Sequence, residues 1–415
     1  MKTKVFIFGI ICSFIIGGCD SIEETTFPNQ SEVKKSTFSS DEAKCIAVGF
    51  VKNFYGGTRA ATTGQVVNSV YTWLSRDIYS NHLSTRGTTN NLPDTLLYIV
   101  NFGNDDGFVL VSADRNRPGV IAFVEKGSLT PNQEIQNPGF KIFLEGYREY
   151  LSRESPLPDT IPSIVDGIWM FDEYYAPLLS TTWGQHSPYN NYCFTNNGQQ
   201  AVAGCMAIAA SQIVAYHNYP SSYNSHYYDW SAILSSSNVS PSDPVASNSV
   251  AHLVHDIGLL IETDYGQNVS TAFFSKIPQC WNAFGYQYET NYSCIFDSLI
   301  VDMDNEDPIY MFGGYYDNNN IWHGHGWVID GLAVRSYYFI QPGQYPSNPY
   351  PTMIKTQSYN LVHCNWGWNG LYDGFFIYGA FQNKYNLSTD EIISSYSPYN
   401  VNNYLYRHVH PNINN

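Results

Sequence analysis

Two side chains in this 415-residue sequence combine type and setting in a way that suits covalent chemistry, Cys205 and His325. A thiol is a useful nucleophile at neutral pH only as thiolate, and the first turn of a helix favours that ion through partial positive charge and unpaired N–H groups. Gly204-Cys205 opens such a helix: Ala203 to His217 is mostly apolar, has no internal breaker and is closed by Pro220. By itself a cysteine in that position is more often a small buried hydrophobe. His325 opens the apolar strand Gly326-Trp327-Val328-Ile329-Asp330-Gly331, which could hold an imidazole rigidly at the mouth of a cleft, although alone it reads equally as a strand-end histidine. Upstream, Thr182-Trp183-Gly184-Gln185 places a side-chain amide where it could donate to the oxyanion of a tetrahedral intermediate beside the Cys205 N–H. Downstream, Asn365-Trp366-Gly367-Trp368 follows a strand. There the Asn365 amide could orient the imidazole while an indole shields their contact from water, as the order of nucleophile, base and orienter requires.

These groups need a scaffold. Asp41-Glu42-Ala43 opens an amphipathic helix through Phe54, stopped by Gly56-Gly57. Leu96 to Phe102, Gly107 to Ser112 and Val120 to Glu125 are short β-branched and aromatic runs that suggest an antiparallel meander, so a small α+β module is expected over 41–152. The segment 153–178, with three prolines between Glu154 and Pro162, reads as an exposed linker open to proteolysis. Beyond it the Cys205 helix is followed by an amphipathic helix through Val250, Leu253, Val254, Ile257, Leu260 and Ile261. From Pro308 the pattern turns to strands at 309–312, 326–329, 359–363 and 374–377. Helices first and a sheet second predict an α+β domain over 179–415.

Taken together the blocks resemble the streptopain family of papain-like cysteine peptidases. The residues that carry the likeness are Trp183-Gly184-Gln185-His186-Ser187-Pro188-Tyr189-Asn190, Ala203-Gly204-Cys205-Met206-Ala207-Ile208-Ala209 and Tyr216-His217-Asn218-Tyr219-Pro220, then His325 to Gly331, Asn365 to Gly370 and Asp373-Gly374-Phe375-Phe376. The resemblance implies a papain-like fold with a helical part and an antiparallel β part. It implies Cys205 as nucleophile, His325 as general base and acid, Gln185 as oxyanion donor, Asn365 with Trp366 positioning His325, protein or peptide substrates, and no cofactor or metal. It further implies that 41–152 is an inhibitory prodomain, of which Phe108-Val109-Leu110-Val111-Ser112-Ala113-Asp114 resembles one strand, and that activation cleavage falls within 153–178. Three features depart from the family pattern: Met206 after the nucleophile, His323-Gly324 before His325, and a tail beyond Phe381 without the family's glycine-rich loop.

The composition fits such a domain. With 43% hydrophobic, 13% charged residues and 34 Tyr, the chain favours strand-rich packing over salt-bridged long helices. A formal charge of −16 disfavours a nucleic-acid partner bound through phosphates. Lys2 and Lys4, the apolar run Val5 to Ile16 and Gly17-Gly18-Cys19 form a signal peptide over 1–19 that resembles a bacterial lipobox. Cys19 is then the expected lipidation site, 20–40 a polar tether, and the product an exported lipoprotein anchored to a membrane. Of the remaining cysteines, Cys280 and Cys294 could pair, and no zinc-type spacing occurs. Three other readings compete: a metal-dependent hydrolase using His323, His325, His252 and His255, a non-catalytic binding protein on the same fold, and an amidase or transpeptidase with the same Cys–His chemistry.

Overall fold

The computed structural model describes residues 37–54, 66–75, 94–152, 167–291, 294–317, 319–341, 352–382 and 402–412. The expected leader with Cys19, the tether up to residue 36 and the Glu154–Pro162 stretch of the linker lie outside the described residues.

Helix α1 (Ser40–Phe54) begins in a reciprocal cap: Ser39 N–H donates to Glu42 Oε2 at 2.8 Å, and Glu42 N–H donates to Ser39 Oγ at 3.3 Å. Strands β1 (Val67–Leu74), β2 (Thr95–Phe102), β3 (Phe108–Ser112) and β4 (Val120–Val124) form the antiparallel meander. β2 to β4 are apolar on both faces because both are covered. Phe50 and Phe54 of α1 pack on Phe123, while Phe140 of helix α2 (Pro138–Ser152) packs on Phe108, which points to the opposite face.

After α2 come β5 (Gly167–Tyr175), α3 (Cys205–His217), the short hairpin β6 (Ser222–Tyr223) and β7 (His226–Tyr227), α4 (Trp230–Ile233), α5 (Pro244–Leu260) and α6 (Ile277–Phe284). They are followed by β8 (Tyr286–Asn291), α7 (Phe296–Asp304), β9 (Ile309–Tyr316), β10 (Trp322–Gln341), β11 (Thr352–Asn365), β12 (Gly374–Ile377) and β13 (Asn402–Pro411). Asp243 caps α5 by accepting from Val245 and Ala246 N–H, with Pro244 in the first turn.

One antiparallel sheet runs through both parts in the order β1-β2-β3-β4-β12-β11-β10-β9-β13-β8. The join is made where Ala122, Phe123 and Val124 pair with Phe376, Phe375 and Gly374. Gly374 is required there, since a Cβ would stand 2.2 Å from the Phe123 carbonyl oxygen. The last part of the segment expected as an open linker is also in the sheet: β5 pairs with β10 from Gly167–Phe339 to Tyr175–Leu332. Its Trp169 and Phe171, with Phe50 of α1, surround the buried Arg335 guanidinium. One hydrophobic core therefore spans the N-terminal module and the sheet, and a second lies beneath α3, α5 and α6.

Candidate active site

Cys205 is the first residue of α3 because Gly204 before it adopts φ 90°, a left-handed conformation that favours glycine, and no side chain caps the helix. The first-turn N–H groups are left for the thiol and its surroundings. Met206, Ile208, Ala209, Ile213 and Val214 anchor the helix in the second core, each fully or nearly fully buried. Across from the thiol, Gly326 of β10 lets the strand approach closely: a Cβ there would meet Met206 Cα at 3.1 Å. The Gly326 N–H donates to Cys205 Sγ at 3.3 Å.

His325 precedes that glycine and is buried. Its Nε2 lies 2.8 Å from the Trp366 carbonyl oxygen, and the Trp368 ring stands edge-on to it with centroids 6.2 Å apart. Burial pushes the imidazole down to about 4, against the opposing pull of the Trp366 carbonyl. Burial also pushes the Cys205 thiol up, opposed by the N–H groups of Gly326, Met206 and Cys205 itself. Among the described residues no hydrogen bond joins Sγ to the imidazole, and burial favours the neutral form of each group.

Asn365 and Trp366 act differently from the sequence expectation. The Asn365 amide does not reach His325: its Nδ2 donates to the Thr181 carbonyl oxygen at 2.6 Å, and its Oδ1 accepts from Gln212 Nε2 at 3.0 Å and Gly367 N–H at 3.2 Å. Trp366 holds His325 with its backbone oxygen. Its indole points into the core against Trp327 and Phe376 and donates to the Tyr372 carbonyl oxygen. The indoles beside the imidazole are Trp368 and Trp327, the latter nearly parallel to it with centroids 6.5 Å apart. Asp373 Oδ1 accepts the Trp366 N–H at 2.8 Å and so closes the loop that carries the His325 acceptor.

Gln185 is brought beside Cys205 by its own backbone, whose carbonyl oxygen accepts the Ala203 N–H at 2.9 Å. Trp183 O accepts from Asn369 N–H at 3.1 Å, and a Cβ on Gly184 would collide with the Asn369 amide at 2.3 Å. This clamps Trp183-Gly184-Gln185 between the Trp366 loop and Cys205. The buried Gln185 side chain makes no hydrogen bond among the described residues, which leaves its amide uncommitted.

His323 is exposed, 3.2 Å from Asp317 and stacked on Tyr315. His252 stacks between Tyr192 and His226, and His226 pairs with Asp256 at 2.8 Å, far along the chain from the thiol. No group of three or more His, Cys, Asp or Glu among the described residues is arranged to hold a metal. Cys280 and Cys294 do not pair; each is a free, buried thiol in a different core.

Sequence reasoning passed over Gln212 and named Trp368 and Asp373 only as members of their blocks, without a role. The signal for Gln212 was its polarity on an otherwise apolar buried helix, since such a group needs partners.

Residues 183–376 match the family model described as the Peptidase C10 family, and residues 32–151 match the Spi protease inhibitor. Streptopain of Streptococcus pyogenes serotype M28 is 25% identical over 326 residues, covering 68% of this chain and 73% of streptopain. Thiol protease/hemagglutinin PrtT of Porphyromonas gingivalis is 25% identical over 326 residues, 68% of this chain and 34% of that protein. A prointerpain A fragment from Prevotella intermedia shares the fold with TM-score 0.52 and 23% identity, over 76% of this chain and 96% of the fragment.

Proposed function

Residues 183–376 make this chain a member of the Peptidase C10 family of cysteine proteases, with an Spi-type inhibitor domain before them, and on that premise we propose a secreted, lipid-anchored zymogen that cleaves peptide bonds through Cys205. The observation that carries the reading is the joint placement of the Cys205 thiol at a helix start, 3.3 Å from Gly326 N–H, and of His325, held at Nε2 by the Trp366 carbonyl oxygen. A carbonyl oxygen only accepts, so Nε2 carries the proton and Nδ1 keeps the lone pair that takes the thiol proton.

In the processed enzyme Sγ attacks the scissile carbonyl as its proton passes to His325 Nδ1. The oxyanion forms against the Gln185 amide and the Cys205 N–H. His325 returns the proton to the leaving amine as the C–N bond breaks, giving a thioester. Water then attacks, His325 takes its proton, and the C–S bond breaks to release the acid and restore the thiol. The inhibitor domain acts as the intramolecular partner that keeps the site latent, consistent with both groups being neutral in the intact chain.

The anchor in this reading is a lipid on Cys19, supported by the apolar run Val5 to Ile16 that meets Gly17-Gly18-Cys19. Replacing Cys19 by Ala should release the protein from the membrane fraction; retention would remove the lipid anchor. For the chemistry, residues 20–415 are prepared as wild type and as Cys205→Ala. The expected result is that wild type alone shortens to about 27 kDa, takes an epoxide thiol-peptidase inhibitor and cleaves peptides. Turnover by Cys205→Ala would overturn the mechanism.

A further inference from the structure

Behind Cys205, the buried stretch of helix α3 from Met206 to Ala215 is apolar except at two fully buried polar positions, Ser211 and Gln212. The Ser211 hydroxyl is used within the helix, on the Ala207 carbonyl oxygen. Gln212 turns outward to two other segments. Its Oε1 accepts from Thr181 Oγ1 at 2.9 Å and from Trp183 N–H at 3.1 Å, and its Nε2 donates to Asn365 Oδ1 at 3.0 Å.

We propose that Gln212 is a positioning residue for the peptide-bond chemistry, registering the Cys205 helix against both the Gln185 segment and the loop whose Trp366 carbonyl oxygen holds His325. This rests on the assignment of Cys205 and His325 above. Cys205 and Gln212 stand two helical turns apart on one face, so a shift at Gln212 is transmitted along a rigid helix to the thiol. Trp183 lies two residues before Gln185, and Asn365 immediately before Trp366. The amide thus ties the nucleophile, the oxyanion donor and the imidazole acceptor together.

The required chemistry at position 212 is narrow. Both Oε1 lone pairs are used by donors, and the Nε2 side faces an acceptor, so neither a carboxylate nor an apolar group reproduces the pattern. Asn365 cannot compensate by turning its amide over, because its Nδ2 is held by Thr181 O and its Oδ1 also receives Gly367 N–H. The loop comes close: a Cβ on Gly367 would lie 3.0 Å from Ile208 Cγ2 and 3.9 Å from Gln212 Nε2.

The test uses the full chain after processing, with active sites counted by an irreversible thiol-directed inhibitor. Gln212→Glu keeps the two acceptor contacts and sets oxygen against Asn365 Oδ1. It should lower kcat per titrated site by about tenfold or more while KM stays within about twofold, and shift the pH profile of Cys205 alkylation. Thr181→Val, which removes one donor, should lower the same parameter less, and the double variant should lose less than the product of the two. If Gln212→Glu does not fold, Thr181→Val carries the same comparison. Variants that melt earlier but keep the wild-type kcat and pH profile per site would overturn the proposal, reducing Gln212 to a packing role. Failure of the underlying assignment looks different, since Cys205→Ala would then retain turnover.

Discussion

His325 Nε2 lies 2.8 Å from the carbonyl oxygen of Trp366, so a backbone atom, rather than the neighbouring Asn365 amide, fixes the tautomer of the imidazole. The thiol is met from the same strand by the Gly326 N–H. Each of the following predictions depends on one link of this arrangement.

In the intact chain burial raises the Cys205 pKa and lowers that of His325 to about 4. The thiolate then forms only above the usual thiol range near about 8.5, and the imidazolium only near or below pH 4, so no pH contains both. Alkylation of Cys205 by iodoacetamide, followed by peptide mass spectrometry, should be slow at pH 6–7 in the intact chain and much faster once the inhibitor domain is removed. Equal rates in the two forms would contradict a latent thiol.

Gln185 is carried beside Cys205 by the bond from Ala203 N–H to its carbonyl oxygen, with its side-chain amide uncommitted. Replacing it with Ala should reduce kcat on the order of 10²-fold, the usual cost of one lost oxyanion donor. Steady-state kinetics on a peptide substrate decide it, and an unchanged kcat removes Gln185 from the site.

Helix α2 of the inhibitor module docks through glycines: a Cβ on Gly139 would stand 2.2 Å from Trp366 Cε3, and one on Gly146 would stand 2.0 Å from the Ala380 carbonyl oxygen. Gly139→Val should weaken docking by roughly 1–3 kcal/mol, as overpacking does. The expected readouts are a lower melting temperature of the intact chain, faster processing and unaltered kinetics of the processed enzyme. Unchanged melting and processing would mean that the Trp366 ring yields without cost.

Burial pushes the Asp373 carboxyl up to about 7, against the Trp366 N–H that it accepts. Between the ordinary carboxylate value and about 7 the folded chain binds more protons here than the unfolded one, so this contribution to stability is lost as pH rises through that window. Asp373→Asn keeps an oxygen for the Trp366 N–H and removes the charge. It should melt higher than wild type at pH 8, by something on the order of 1–3 kcal/mol of stability, with the gap closing toward pH 4. A variant less stable than wild type at pH 8 would show that the ionised carboxylate is the better partner.

Much of the scaffold was legible because its signals are local. The apolar run after Gly204, the three- and four-residue spacing through Val250 and Ile261, and the β-branched runs at 96–102, 107–112 and 120–125 all became the expected helices and strands to within a residue or so at their ends. β5 was missed because the prolines before it suggested continued loop, whereas its aromatic residues find cover on Arg335 and Phe50. The pairing of β4 with β12 was equally invisible, since a three-residue junction between distant segments leaves no pattern in either.

The sequence by itself determined which side chains could react and which elements would carry them: a cysteine behind a glycine at a helix start, a histidine before a glycine on an apolar strand, and a side-chain amide upstream. Only the tertiary structure decided what each of them touches. The Asn365 amide went to Gln212 and Thr181, the Trp366 carbonyl oxygen to His325, and the Trp368 ring to the imidazole edge. Helix starts and strand alternation are set by short-range backbone geometry. Hydrogen-bond partners and shifted pKa values depend on burial and on groups brought together from remote parts of the chain.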